Sequence, residues 1–261
     1  MGNQPIKAHA HIYTRLKEKF VELVNSSGLT DKTAECNVLG ADFVKLPSNE
    51  YAFMKGKEFL VDCRINHHHG EAFTDSPRLF RGRVLDVANM ATGDKGERSI
   101  FFATLNAMLR AMNEIERTVH CRRGEAEKCG NLLAKYILEK FGEVKVAHIG
   151  FQPGHAKATS TVFDTIYITD LNPENIGKVK FGVKIIDGAM NEEIIRKVDV
   201  ACITGSTIVN GTLFRLLELC ERYGVKYVLY GVTVKGASKI LGYEVFCPLS
   251  HDESILPSWV Y

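Results

Sequence analysis

The sequence predicts an α/β fold in two parts, an α+β domain over residues 1–143 and a Rossmann-like domain with a mainly parallel sheet over residues 144–261. Three observations predict this arrangement. The first part runs from a helix through short apolar runs to further helices. At Gly142 the pattern changes to short apolar runs that alternate with helices, which is typical of a doubly wound sheet. A length of 261 residues accommodates two ordinary domains.

The N-terminal elements follow from hydrophobic spacing and turn residues. Apolar residues recur three and four positions apart from Ile12 to Val24, which predicts an amphipathic helix that stops at Ser26-Ser27-Gly28. From Val38 to Arg64, short apolar runs between proline and glycine turns predict an antiparallel meander. We then expect a polar loop over residues 66–77. Helices are predicted over residues 79–90, 98–116 and 124–141.

The C-terminal elements alternate between strand and helix. Strands are predicted over residues 144–149, 166–169, 184–186, 200–204, 226–230 and 243–247. After the 200–204 strand, a helix with Leu213, Leu216 and Cys220 on one face is expected to end at Gly224. This order predicts parallel neighbours in a single sheet.

The composition argues against binding to a polymer or a membrane. The chain has 33 basic and 31 acidic side chains and a formal charge of +2, so we expect no strongly basic face. Arg122-Arg123 is interpreted as a solvated pair, because acidic residues are interspersed and aromatic residues do not interleave. No segment has the roughly 18 consecutive apolar residues that span a bilayer, and the N-terminus lacks a signal-peptide core. We expect a cytoplasmic protein with a small-molecule partner, and a homodimer is the commonest assembly for such chains.

Seven cysteines occur without a Cys-x-x-Cys pair. An odd number without close spacing argues against a disulfide framework and against a structural zinc site. We therefore expect reduced thiols, most of them buried.

The loops after the predicted strands form the expected ligand site, because ligands of parallel sheets bind outside the carboxyl ends of the strands. The first loop runs from Gly150 to Gly154, where two glycines allow a ligand to approach the backbone closely. Its spacing departs from the dinucleotide-binding fingerprint, and Pro153 removes one amide donor. A tight strand-to-helix turn without a ligand explains the same residues.

Asp170 ends the next predicted strand, twenty positions after Gly150. In nucleotide-binding folds an acidic residue at this place accepts hydrogen bonds from ribose hydroxyls. The alternative is that Asp170 caps a turn with Asn172-Pro173.

The loop after the 200–204 strand has the richest set of polar groups. Its hydroxyls, amide side chain and glycines are those of Gly205, Ser206, Thr207, Asn210, Gly211 and Thr212. Free amides and the helix dipole at such a position favour a carboxylate or phosphate. Helix capping alone needs one such residue, so several of them predict a ligand contact.

Histidines are the remaining candidates. Side chains of an extended chain alternate in direction, so at most two of His67, His68 and His69 can face one metal ion. A third ligand would come from elsewhere, and the candidates are His9, His11, Cys63 and Glu71. The alternative for this triplet is a solvated polar loop. His155 lies beside Gly154 in the expected cleft and is a candidate for acid–base chemistry or phosphate contact, or else is structural.

The run ITGSTIVNGT at residues 203–212 resembles the signature of the domain family labelled "Putative heavy-metal chelation", whose function is unknown. The resemblance extends to Ile149-Gly150-Phe151, to residues 162–170 and to Leu229-Tyr230-Gly231. The first half resembles the domain that usually accompanies this family. That second resemblance is carried by Arg98-Ser99-Ile100 and by the run ATLNA at residues 103–107.

The resemblance implies an enolase N-terminal-like domain, a Rossmann-like domain and a ligand crevice between them. By this resemblance Asn106 faces the crevice beside Gly205, Ser206 and Asn210, although a buried capping role explains the same residue. The leading hypothesis is an enzyme or enzyme-like protein that binds a small anionic or nucleotide-like ligand in the crevice. The alternative is a non-catalytic heavy-metal-binding protein, with a divalent metal as its ligand.

Overall fold

The computed structural model describes the backbone of residues 5–255 and the side chains of residues 11–255. The helices are α1 (Pro5–Ser26), α2 (Lys95–Ala111), α3 (Glu125–Phe141), α4 (Pro153–Val162), α5 (Asn191–Ile195), α6 (Ser206–Asn210), α7 (Leu213–Tyr223) and α8 (Lys235–Leu241). The strands of the first half are β1 (Thr33–Leu39), β2 (Phe59–Ile65), β3 (His68–Thr74) and β4 (Phe80–Arg83). Those of the second half are β5 (Val146–Ile149), β6 (Ile166–Asp170), β7 (Val179–Lys180), β8 (Val183–Asp187), β9 (Val200–Thr204), β10 (Lys226–Tyr230) and β11 (Val245–Phe246).

The first sheet is antiparallel, with the strand order β3-β2-β1-β4. Helix α1 confirms the periodicity prediction, because Leu16, Phe20 and Val24 are buried on one face. The antiparallel pairing of β1 with β2 is confirmed, but the predicted meander over residues 38–64 holds only at its two ends. Strand β1 begins at Thr33, before the predicted run, and residues 40–58 contain a 3-10 helix at Phe53–Lys55 and turns instead of strands.

Two N-terminal predictions are wrong. The expected polar loop over residues 66–77 contains β3, which pairs with β2 around a turn at Asn66, whose φ is +56°. The expected helix over residues 79–90 is strand β4 followed by a 3-10 helix over Val84–Thr92. Strands β3 and β4 are stabilised by hydrogen bonds with β2 and β1, and this pairing is not visible in local composition.

The prediction of reduced thiols is wrong for two of the seven cysteines. Cys36 on β1 lies directly opposite Cys63 on β2, and the two form a disulfide. Their sequence separation of 27 residues has no signature of its own, because only the cross-strand register brings them together. The other five cysteines are free, and four of them are buried.

The second sheet confirms the mainly parallel prediction. Its strand order is β11-β10-β9-β5-β6-β8-β7, and within the described residues only the short β7 pairs in the antiparallel sense. Strands β9 and β10 begin and end at the predicted residues, and α7 ends before Gly224. The result is a mixed α/β fold that contains a parallel sheet.

Helix α2 connects the two halves. Twelve of its 17 residues are buried, and it packs on β2 and β3 on one side and on α6 and α8 on the other. Helix α3 shares a core with the second sheet, because Leu133 and Ile137 pack with Val146 and Val200. The domain boundary at 143/144 stays a prediction. In residues 5–255, no helix is both long and apolar enough to cross a membrane.

Candidate functional site

The carboxyl ends of four parallel strands meet at one edge of the second sheet. Strands β10, β9, β5 and β6 are consecutive neighbours in parallel register. Gly231, Gly205, Gly150 and Asp170 therefore lie next to one another at the edge where parallel sheets bind ligands. The structure thus brings together three of the sequence-predicted site residues.

The predicted glycines have roles within the protein itself. Gly150 has a φ of +88°, and a Cβ atom there would lie 2.4 Å from Cγ2 of Thr204. A Cβ on Gly154 would lie 2.6 Å from the hydroxyl of Tyr51, which accepts a hydrogen bond from the Gly154 amide at 3.1 Å. Gly205 donates to the carbonyl of Tyr230 at 2.8 Å. These contacts support the ligand-free alternative for the Gly150–Gly154 turn.

The polar segment after β9 is a short helix, α6, rather than an open loop. Thr207 donates its hydroxyl to the Thr204 carbonyl at 2.7 Å, and Thr212 donates to the Thr207 carbonyl at 3.4 Å. Gly211 ends the helix with a φ of +83°. The side chains of Ser206 and Asn210 are half-buried and form no hydrogen bond with a described residue. Of this predicted set, those two side chains remain available to a ligand.

Asn106 is fully buried and bonded on three sides. Its Nδ2 donates to the carbonyls of Glu71 and Val232, both at 3.0 Å, and its Oδ1 accepts from the Gly236 amide at 2.7 Å. Because Glu71 belongs to β3 while Val232 and Gly236 follow β10, this amide ties the two halves together. These bonds support the buried role that the sequence left open as an alternative to a crevice contact.

Across the edge from Asp170 lies one end of the β2–β3 hairpin, which carries Glu58 and Asp75. Phe59 and Thr74 are partners in the register, so Glu58 and Asp75 lie at the same end. Burial raises the pKa of Glu58 to about 7, and the negative charges of Asp170 and Asp75 raise it further, while a hydrogen bond with Gln152 opposes the shift. A carboxyl group that exchanges its proton near neutral pH is a candidate acid or base.

Asp170 combines the two roles that the sequence left open. Its Oδ1 accepts from the Asn172 amide at 3.0 Å and its Oδ2 from Nδ2 of Asn175 at 2.8 Å, so it does cap a turn. The same carboxylate lies close enough to Glu58 to raise its pKa. A turn cap and a site residue are therefore compatible here.

Ion pairs join the segment before the hairpin to the second half of the chain. Lys180 contacts Glu50 at 2.5 Å, and Lys57 pairs with Glu174. A hydrogen bond at 3.0 Å from the Phe73 amide to the hydroxyl of Thr233 joins β3 to the segment after β10. Together these contacts position the hairpin end over the sheet edge.

His155 lies in a buried aromatic group. Its exposed fraction is 8%, and its ring stacks on Tyr230 with a centroid distance of 4.7 Å. Burial lowers the pKa of His155 to about 3, with His148 and His120 acting in the same direction. The neutral ring at physiological pH supplies no positive charge for a phosphate. Neither ring nitrogen has a hydrogen-bond partner among the described residues.

The histidine triplet lies at the β2–β3 turn. The rings of His67 and His68 are 3.9 Å apart, whereas Nδ1 of His69 lies 3.1 and 3.2 Å from the two carboxylate oxygens of Asp62. Of the suggested third ligands, Cys63 is in the disulfide, Glu71 is buried, and the side chain of His9 lies outside the described residues. Among side chains 11–255, no group of three or more His, Cys, Asp or Glu is arranged to hold a metal ion.

Sequence reasoning did not single out Glu58, Asp75 or Gln152 as site residues. Glu58 and Asp75 flank ordinary strands as single acidic residues, and such residues are common at solvated strand ends. The pairing of Phe59 with Thr74 is the only signal that unites them, and it depends on recognising β3.

Comparisons with known proteins agree with this architecture. Residues 133–244 match the model of the family DUF364, described as "Putative heavy-metal chelation". No curated protein matches the chain. A DUF364 protein of unknown function from Pyrococcus horikoshii is similar in structure, with 18% identity, a TM-score of 0.52, and coverage of 85% of this chain and 79% of that one.

A second solved structure is a DUF364 protein of unknown function from Desulfitobacterium hafniense DCB-2. It has 16% identity, a TM-score of 0.50, and coverage of 72% of this chain and 74% of that one. At this identity the likeness concerns the fold alone. The family match is thus confined to residues 133–244, and the two solved DUF364 structures, both of unknown function, have a fold similar to that of this chain.

Proposed function

We propose that this protein binds a small, nucleotide-like ligand at the carboxyl edge of its second sheet, and that Glu58 exchanges a proton with it. The observation that carries the proposal is the Glu58 carboxyl, with a pKa near 7, placed by the hairpin beside Asp170 and Gln152. Perturbed carboxyl groups in a crevice between two structural layers are frequent at functional sites.

The charge of the crevice indicates how such a ligand would be oriented. Carboxyl groups at Glu58, Asp75 and Asp170 favour hydrogen-bond donors, such as ribose hydroxyls, and disfavour an anion at that end. The side chain of Ser206 follows β9, two strands away from β6, which corresponds to about 10 Å at ordinary strand spacing. A ligand of nucleotide size spans that distance, with its anionic group toward Ser206 and Asn210.

The test compares wild-type protein with two variants by native mass spectrometry, first as freshly purified and then with added adenosine monophosphate. We expect the wild type to carry a small molecule or to form a 1:1 complex. Glu58→Gln removes the exchangeable proton, and the double variant Ser206→Ala/Asn210→Ala removes the free polar side chains. Both are expected to lose the complex.

Glu18→Gln, an exposed position on α1, is the matched control for the loss of one carboxylate. It should bind as the wild type does. Equal binding by all variants, or a wild type that carries no small molecule and binds no nucleotide at millimolar concentration, would contradict the proposal. Circular dichroism and melting curves of each variant separate loss of binding from loss of folding.

A second candidate function is the handling of a heavy metal as cargo, which the family description suggests. The observation in its favour is the close approach of the His67 and His68 rings, which provides two adjacent imidazoles. The engaged Nδ1 of His69 does not fit a three-histidine site. The test is metal analysis of tag-free wild-type protein and of His67→Ala/His68→Ala. The wild type should take up metal stoichiometrically, and the variant should lose that uptake. Unchanged uptake in the variant would contradict a role for these histidines.

A further inference from the structure

A cavity of about 600 Å³ lies at the start of α3, formed by segments far apart in the sequence. One wall comes from residues 43–45, after β1, and another from residues 122–128. Residues His251 and Ile255 close it from the C-terminal side. None of the residues assigned above to the proposed nucleotide crevice lines this cavity.

Four basic side chains line the cavity, at Lys45, Arg122, Arg123 and Lys128. Lys45, Arg123 and Lys128 are exposed, and none of them forms an ion pair or side-chain hydrogen bond with a described residue. Many other basic side chains of this protein are paired with carboxylates, for example Arg64 with Glu35. Three unpaired positive charges therefore lie on one concave surface.

The fourth basic residue is partly buried. The guanidinium of Arg122 donates to the carbonyl of Glu253, and its Nε is buried without a hydrogen-bond partner among the described residues. Because that Nε is buried, a ligand in the cavity does not reach it. Arg122 instead contributes its positive charge to the cavity lining.

Glu125 is the only acidic residue among those lining the cavity, and it is already engaged. Its Oε2 accepts from the Arg122 amide at 2.6 Å and lies 2.8 Å from Nε2 of His251. The four basic side chains therefore exceed the single carboxylate. Positive charge in a concave site raises the local concentration of anions.

The backbone adds to this preference. Helix α3 has 17 residues and begins at Glu125, so its dipole and its first amides favour negative charge at the same wall. Arg123 has a φ of +49°, a conformation that non-glycine residues rarely adopt. The resulting bend sets Arg122 and Arg123 on the cavity lining directly before the helix.

We propose that this cavity binds the phosphate group of a small organic molecule, with an apolar part of that molecule against Phe43 and Ile255. Phe43 is 50% exposed at the cavity, which is unusual for a side chain of its size. Lys45, Lys128 and the guanidinium groups are the phosphate ligands. Phe43 and Ile255 provide the apolar contact that inorganic phosphate does not use.

The test is isothermal titration calorimetry of the full chain with phenyl phosphate, inorganic phosphate and phenol. Wild-type protein should bind one phenyl phosphate, more tightly than either of the other two. In Lys45→Gln/Lys128→Gln, loss of two charge-assisted contacts should raise the dissociation constant about tenfold or more. Binding should also weaken as the salt concentration rises.

Lys157→Gln/Lys184→Gln is the matched control, because it removes the same charge from exposed, unpaired lysines outside the cavity. Its dissociation constant should stay within about twofold of wild type. Glu58→Gln should also leave phenyl phosphate binding unchanged, which distinguishes this site from the nucleotide crevice. Equal weakening in both double variants, equal affinity for phenol or inorganic phosphate, or no binding at millimolar concentration would overturn the proposal.

Discussion

Replacing Asn106 by Leu should destabilise the protein strongly, because the side-chain amide holds three backbone groups from both halves. The substitution keeps the approximate shape but removes the Asn106 partner of the Glu71 carbonyl and of the Gly236 amide, whereas the Val232 carbonyl still accepts from the Lys235 amide. Each unsatisfied group costs about 1–3 kcal/mol, so the expected loss in the free energy of unfolding for two groups is about 2–6 kcal/mol. For a chain of this length that corresponds to a fall in melting temperature of roughly 10 °C.

The assay is guanidinium unfolding of wild type, Asn106→Leu and Asn106→Asp at pH 8 and pH 4. In Asn106→Asp the side chain keeps the acceptor for the Gly236 amide but places a carboxylate against two carbonyls. Protonation at pH 4 restores a donor, so the stability loss of this variant relative to wild type should be smaller at pH 4 than at pH 8. Thr233→Val removes one bond between the halves, from the Phe73 amide, and should cost less. A loss below about 1 kcal/mol in Asn106→Leu would refute the structural role and return Asn106 to the ligand site.

Three further predictions concern the sheet edge and its surroundings. Gly150→Ala should lower the free energy of unfolding by about 2 kcal/mol or more, because of its positive φ and the clash of the new Cβ with Thr204. Adding Thr204→Ser should restore part of this loss, because it removes Cγ2, and no rescue would contradict the clash. Glu58 binds its proton more tightly in the folded than in the unfolded protein, so its contribution to stability should fall as pH rises from about 4.5 to 7. Glu58→Gln should abolish that contribution to the pH dependence of the melting temperature. The same pH dependence in the variant and the wild type would contradict the raised pKa. His155→Phe should raise the free energy of unfolding, and more at pH 5 than at pH 8, because a charged imidazole is disfavoured at this buried place. A lower free energy of unfolding at both pH values would show that the ring nitrogens have partners.

The elements predicted correctly are those whose signal is local. Strands β9 and β10 are short apolar runs between turn residues, and α7 has a clear apolar face that stops at Gly224. Such segments carry their periodicity and their end signals within the sequence itself. The α/β class follows from their alternation.

The elements predicted wrongly depend on contacts distant in the sequence. Strand β3 begins with two histidines and reads as polar, yet Glu71 and Thr74 are buried on it by packing against other segments. The disulfide between Cys36 and Cys63 likewise requires the β1–β2 register. Neither pairing leaves a mark on the local composition.

The candidate site shows the same division. The sequence located the sheet edge correctly, because glycines and hydroxyl residues mark the ends of parallel strands. At Gly150, Gly154 and Gly205, however, internal packing accounts for the missing side chain. The titratable chemistry comes from the other half of the chain, through Glu58 and Asp75, and therefore needed the β2–β3 pairing to be found.

The net charge is only +2, but acidic and basic side chains are concentrated on different surfaces, which affects the ligands that each surface can bind. Carboxyl groups gather where the β2–β3 hairpin meets the sheet edge, while four basic side chains gather at the start of α3. The two proposed sites should therefore prefer different ligand groups, hydrogen-bond donors at the hairpin end and a phosphate in the basic cavity. Because the opposite charges lie on different surfaces, the variants Glu58→Gln and Lys45→Gln/Lys128→Gln should affect these two bindings independently.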